Sequence, residues 1–418
     1  MRMLTSSRSF TPALLAGLLC LCCAVSPETR AAELRNGLVF GYDSFIDRFT
    51  ILEDDTSEVT HEYYIGLDNH LRHYSNSLKY SLRNVFRYGN QSIDEYAEGA
   101  FSAGTREGGL VQARADMRLK HFREGSDYEF GNDYLQSNAF LSLGRELRDG
   151  LYVASKSRAE LVYYDERTDF DYDYRYLDTG LGFELGSFLG RFASLSAAIG
   201  HRACPDSTDL SYNRFLAVAE GRLSEGRASF ELSASADRRD YEGLTRSSSW
   251  NVLTAAGFTW TQTGGASAML RFESELYRYD TETSTFFDTH FLRGGLRGRL
   301  PVSQTAALFA EPRVGRLLCQ SYEEERYIEG TVALGFDLFS GGAYWLSATY
   351  EPGYRNYLLD ENDIYSDFRV NRLSLMGSAT VAERVMLTLF VSHDPEYHSR
   401  RSDDFSMTLV SASVTLLF

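Results

Sequence analysis

The residues equipped for chemistry are few and scattered. The densest patch is His393-Asp394-Pro395-Glu396-Tyr397-His398, where His393, Asp394 and His398 offer donors of the kind a divalent metal takes. It falls in an expected outer connection, where polar residues are ordinary, so the reading is no metal and no cofactor. Gly186-Ser187-Phe188-Leu189-Gly190 sets its serine beside the first glycine and in a predicted turn, which is not the elbow that exposes a nucleophile. Cys204 and Cys319 are the cysteines that follow residue 32. In an oxidising compartment a bond between them is chemically allowed, but both loops would have to fold over one mouth. No catalytic constellation emerges, and the chain is expected not to be an enzyme. What the sequence has in abundance is charge, spaced by two.

That spacing belongs to strands. Tyr63, Ile65, Leu67 and Leu71 lie on one face of a segment whose other face carries Glu62, Tyr64, Asp68 and Arg72. The same alternation recurs along the chain between tight turns at Arg106 to Gly109, Ser224 to Gly226, Gln262 to Gly265, Ser340 to Gly342 and Thr380 to Arg384. Short connections alternate with longer polar ones, the layout of a membrane barrel of about 18–20 strands. No stretch after residue 32 approaches the roughly 20 apolar residues of a spanning helix, and only helices and closed barrels satisfy every backbone group in lipid. Pro205, Pro301, Pro352 and Pro395 are expected in connections and Pro312 near a strand end. Trp250 and Trp260 lie ten residues apart on one face, roughly 25 Å along the membrane normal at a tilt near 40°, the height of an apolar band between aromatic girdles.

Strand parity sends Lys79, Arg83, Arg87, Arg114, Arg118, Lys156, Arg158, Arg293 and Arg297 to the interior, with Glu273, Glu275 and Glu311 among the balancing carboxylates. Glu275, Arg293 and Glu311 are expected to form a cross-strand row. Asn69 and Asn84 fall opposite each other on the lipid face, and small residues such as Ala193, Ala197, Ala217 and Ala234 gather there, which leaves room for a homo-oligomer contact. Acidic residues concentrate in expected outer loops: Asp43 to Asp55, Asp165 to Asp173, Glu323 to Glu325, Asp360 to Asp363, and Asp403 with Asp404. An acidic mouth concentrates cations.

The two ends supply an address. Arg2 and Arg8 precede an apolar run from Ala13 to Val25 and small residues at Ala31 and Ala32, which is a secretory signal over residues 1–32; residues 33–418 are then the barrel. The last nine residues, Val410 to Phe418, alternate back from a terminal aromatic. This resembles the C-terminal signal of Gram-negative outer-membrane β-barrels, which implies that Phe418 is read by the barrel assembly machinery and that the partners are outer-membrane lipid and lipopolysaccharide, not nucleic acid. The whole chain is similar in pattern to plugless, porin-like barrels. Tyr42-Asp43-Ser44-Phe45, followed by an acidic stretch and a long return strand, resembles the start of exopolysaccharide-associated barrels, although the helical repeats that often precede the barrel in that group have no counterpart here. The resemblance implies a water-filled conduit for hydrophilic solute or exported polysaccharide. The alternative is a sleeve enclosing a separate partner protein.

Overall fold

The computed structural model describes residues 33–418 apart from 52–53, 76, 106–107, 124–125, 127–131, 149, 167–170, 188–189, 244–245 and 360–363, with the side chains of 49–56 also left aside. The expected signal peptide lies outside the described residues. The first strands are β1 (Glu33–Ile51), β2 (Asp54–Tyr74), β3 (Leu78–Gly89), β4 (Ser92–Gly104), β5 (Gly109–Phe122), β6 (Tyr134–Arg148) and β7 (Leu151–Tyr164). Then follow β8 (Tyr174–Ser187), β9 (Arg191–Ala203), β10 (Tyr212–Glu225), β11 (Ala228–Tyr241), β12 (Ser249–Thr261), β13 (Ser267–Tyr279) and β14 (Thr289–Pro301). The last are β15 (Ala306–Cys319), β16 (Tyr327–Ser340), β17 (Tyr344–Tyr357), β18 (Phe368–Ala382), β19 (Val385–His398) and β20 (Phe405–Leu417).

Each strand pairs antiparallel with its sequence neighbours, and β20 returns to β1 from Gly37↔Leu417 to Phe49↔Phe405, closing a 20-stranded sheet without an edge. Closure follows from the alternation: a sheet with one greasy face placed in lipid cannot leave a row of unpaired N–H and C=O groups. The molecule has no apolar core, and its large hydrophobic side chains stand outward. Leu177, Leu181, Phe183 and Leu185 on β8 are all about half exposed or more, as are Leu195 and Ile199 on β9. The buried residues include small or polar ones such as Ala154, Ala333, Ser142 and Thr60, together with a few larger apolar side chains such as Val162, Tyr176, Phe368 and Val370.

Three sequence expectations are corrected. Residues 43–51 and 54–57 are not a loop but the continuation of β1 and β2, which stand above the end of β3 because Tyr64 already pairs with Gly89. Residues 393–398 belong to β19 rather than to an outer connection. Pro352, Pro395 and Pro312 lie within β17, β19 and β15. Each proline interrupts the ladder on one side only: pairing skips from Gly295↔Arg313 to Gly298↔Ala310, from Thr331↔Gly353 to Leu334↔Tyr350, and from Val370↔Glu396 to Leu373↔His393. In every case the break faces the preceding strand, where the missing N–H would have donated, and the ladder to the following strand continues through the proline. Sequence reading kept proline out of strand interiors; a one-sided gap accommodates it there.

The C-terminus is part of the closure, since the Phe418 N–H donates to the Asn36 carbonyl at 3.0 Å. Deleting Phe418 should lower the amount of folded, heat-modifiable protein in the outer membrane several-fold, measured by gel shift of membrane fractions; undiminished folded protein would remove its role in assembly. A tag inserted at Glu324 should be reachable on intact cells, and one at Gly226 should not.

Candidate functional site: the inner wall

The face opposite the apolar one is charged, and its side chains reach across strands. Arg293 on β14 bonds Glu329 on β16 at 3.3 Å, and Arg313 on β15 bonds Glu351 on β17 at 3.0 Å. Side chains from strands two apart meet on the concave side of a barrel, so this is the inner wall. The residue between them must be small. Gly315 of β15 faces both Arg293 and Glu329 in register, and a Cβ there would meet Glu329 Oε1 at 2.8 Å. Ala333 stands opposite Glu311 in the same way, beneath the Arg313–Glu351 bond.

The row expected from parity is therefore present with different members. Arg293 lies between Glu273 (3.9 Å) and Glu329, not between Glu275 and Glu311. Glu275 faces Leu253 and Phe291, and Glu311 binds Arg313 at 2.9 Å and Arg297 at 3.8 Å. Glu273 lies one rung from Glu275 on β13, while on the other side Gly315 faces Arg293 and Glu329 reaches over it from β16, which parity alone cannot reveal. The rest of the wall follows suit: Arg83 with Asp68 (2.7 Å), Arg114 with Glu98 (3.1 Å), Arg118 with Asp94 (2.7 Å), Lys156 with Glu184 (3.0 Å) and Arg158 with Glu160 (3.2 Å). Arg87 lies over the Tyr64 ring at 4.8 Å. Lys79 is exposed and makes no ion pair among the described residues.

One ladder is continuous: Arg297, Glu311, Arg313, Glu351, Arg372 and Asp394 link β14 to β19. Its three carboxylates each precede one of the in-strand prolines, as Glu311-Pro312, Glu351-Pro352 and Asp394-Pro395. This recurring acid–proline pair on alternate strands was legible in the sequence and was missed. Toward the outer end a second layer sets arginines on rings. Arg202 stands 3.8 Å from the Tyr174 centroid, and Arg355 stands 4.1 Å from Tyr327 and 5.0 Å from Phe368. Tyr212–Tyr241 and Tyr327–Tyr357 meet edge to face.

Above this layer the hairpins are clamped by one device. The last residue of the rising strand donates its N–H to the side chain of the residue just before the descending strand: Phe122 to Asp133 (2.7 Å), Tyr164 to Asp173 (2.9 Å), Tyr279 to Asp288 (2.8 Å), Tyr357 to Asp367 (2.7 Å) and His398 to Asp404 (2.6 Å). Ser211 and Ser248 do the same for Cys204 and Tyr241. Asp173 and Asp404, assigned to the acidic loops, are thus structural, and the sequence signal of the clamp is an Asp followed by an inward aromatic at Asp133-Tyr134, Asp173-Tyr174, Asp367-Phe368 and Asp404-Phe405. Neighbouring connections are also tied together. Ser321 donates to Glu282, which holds that carboxyl below its usual range with help from the Asp288 N–H. Tyr365 donates to Glu325 at 2.9 Å, and burial together with that bond pushes its phenol up to about 12. Ser366 reaches Asp403 at 2.7 Å.

The donors of the patch from His393 to His398 do not converge. Alternation along β19 turns His393 outward to Thr408 (2.8 Å) while His398 turns inward to Ser366 (3.0 Å), and no metal-type cluster of three donors exists among the described residues. Cys204 and Cys319 are buried free thiols. On the outer face Trp250 and Trp260 stand exposed at the two ends of β12. Asn69 and Asn84 are directly opposed, though the Asn84 amide turns to Glu95 at 3.5 Å. The small residues collect as expected, with Ala197 beside Ala217 and Ala217 beside Ala236.

No protein-family model matches the chain, and no curated protein matches it by sequence. Solved structures do. The siderophore receptor PirA of Pseudomonas aeruginosa aligns with a TM-score of 0.54 at 9% identity, covering 94% of this chain and 81% of that one. The alcaligin outer-membrane receptor FauA of Bordetella pertussis aligns at 0.55 and 11%, covering 94% and 77%. The copper transporter OprC aligns at 0.58 and 11%, covering 94% and 81%. The fold is that of an outer-membrane β-barrel. At such identities the likeness carries the fold alone, and these neighbours are receptors and a transporter rather than the plugless porins that the sequence pattern resembles.

Two substitutions test the wall. Gly315→Val should displace Glu329 and lower the unfolding midpoint by an amount corresponding to about 1 kcal/mol, while Gly298→Ala, with open space around its Cβ position, should leave it unchanged. Asp288→Ala should cost about 1–2 kcal/mol by removing a charge-assisted bond to a backbone N–H, and Asp288→Asn should recover most of it. Both follow from heat-modifiability curves.

Proposed function

We propose that this chain is an outer-membrane transport channel whose inner wall conducts hydrophilic solute or an exported polysaccharide, without catalysis. The observation that carries the reading is the ion-paired inner wall. A cylinder of twenty strands is about 40 Å across, and its inward arginines and carboxylates pair along the wall itself, within and between strands. The connections between described strands are hairpins, of which residues 123–133 form the longest. Receptor and transporter neighbours of the same fold support a transport role. Trp250 and Trp260 would anchor the two interfaces, with lipopolysaccharide around the outer rim.

Because ion pairs nearly neutralise the wall, selectivity should come from the mouth, from acidic residues outside the hairpin clamps such as Glu323, Glu324 and Glu325. Purified protein in a planar bilayer should give ohmic conductance with modest cation preference, strongest at low salt where the Debye length is about 30 Å. Changing Glu323, Glu324 and Glu325 to Gln should shift the reversal potential toward zero, whereas Asp288→Asn should not. Anion preference would reject control by the mouth. Absence of conductance together with copurification of a second protein would make the barrel a sleeve.

A further inference from the structure

The inner wall is uneven. Between β3 and β7, near the turn end at which β3 and β5 begin, lies a hollow of about 700 Å³, within the roughly 300–1,000 Å³ of sites that enclose small ligands. Three cations border it, and they differ from the ladder arginines. Lys79 is exposed and has no ion pair among the described residues, and the side chains of Arg114 and Arg158 remain 55% and 50% exposed although each holds a carboxylate. A guanidinium has five N–H donors in a planar fork, and here one edge is engaged while the other is open.

Between the cations stand the carboxylate of Asp116, which accepts from the Asn138 amide at 2.9 Å, and neutral hydrogen-bonding groups. Gln112 and Gln136 offer amides, and Ser81 and Ser102 offer hydroxyls, all on the inward parity. The ring of Phe140, opposite both Arg114 and Arg158 in register, is 37% exposed on this wet face. Other phenyl rings of the inner wall lie under a guanidinium, as Phe291 does under Arg293 and Phe309 under Arg297, whereas the face of Phe140 carries no such contact among the described residues. Cations for carboxylates, amides and hydroxyls for ring hydroxyls, and an aromatic face for a sugar's C–H surface are together the groups that an acidic saccharide would engage.

We propose that this hollow is a subsite for a uronate-containing oligosaccharide, placed at the periplasmic end of the lumen. It rests on the conduit reading above and names its cargo class. Lys79 neutralises one carboxylate, the free edge of Arg158 a second, and Phe140 carries the intervening ring. A free inorganic anion would use the cations but not the ring, and a neutral glycan the reverse.

The test uses the full-length barrel in detergent and then in planar bilayers, with tetragalacturonate, maltotetraose and sulfate as probes. Tetragalacturonate should bind by calorimetry and block current from the periplasmic side. Lys79→Gln should weaken both about tenfold, roughly one charge-assisted bond, and Phe140→Ala should weaken tetragalacturonate while leaving any sulfate effect alone. Lys79 has no partner to lose, so its variant keeps the test valid even if Phe140→Ala fails to fold. Equal binding of maltotetraose or sulfate, or Lys79→Gln without effect, overturns the subsite. Binding without conductance would retain the subsite and refute the conduit; conductance without binding would do the opposite.

Discussion

Every backbone group that faces hydrocarbon must find its partner within the sheet, and this constraint organises the protein. It demands closure, which the β1–β20 ladder supplies, and it turns each strand into a boundary between two solvents. With apolar side chains facing lipid there is no core to bury, so association of strands rests on the ladder itself and on what side chains do across it. That is why the ladder's few interruptions are informative. Apart from the bulges beside the turns at Glu146/Arg148 and Thr380/Ala382, they fall at Pro312, Pro352 and Pro395, each confined to one side and beside a carboxylate that bonds arginines on the inner wall. Where backbone bonding is interrupted, charged side chains bridge the same sector.

The inner wall resolves a second problem, since a wide lumen lined with single charges would repel itself or bind counter-ions. Here arginines and carboxylates reach along the wall and over glycine or alanine to strands beyond their neighbours, as Arg293 does over Gly315. The charges end up neutralised in the surface and the channel stays wet without becoming a strong field. Lys79, which makes no ion pair among the described residues, the half-exposed guanidinium groups of Arg114 and Arg158 and the phenyl ring of Phe140 gather with Asp116 in one hollow.

The fold was legible because period-two patterning and turn glycines such as Gly226 and Gly265, both at positive φ, are local signals. Lumen parity was legible for the same reason. Partner choice was not, because parity fixes neither the rung, which sets Glu273 rather than Glu275 opposite Arg293, nor the reach over Gly315 to Glu329 on the strand beyond. The acidic loops misled in a different way. Asp43 and Asp47 read as loop by composition but lie on β1, and Asp173 and Asp404 read as mouth charge but are bound to backbone N–H groups. The patch at 393–398 looked like a donor cluster only because alternation had not been carried into it.

The central claim is that the ion-paired face is the wet one, and β16 tests it most directly. Spin labels placed singly at positions 328 to 334 of a cysteine-free variant in liposomes should alternate strictly. Labels at Glu329, Thr331 and Ala333 should be relaxed by a water-soluble nickel chelate, and those at Ile328, Gly330, Val332 and Leu334 by oxygen dissolved in the bilayer. The opposite phase, or no alternation, would contradict the account.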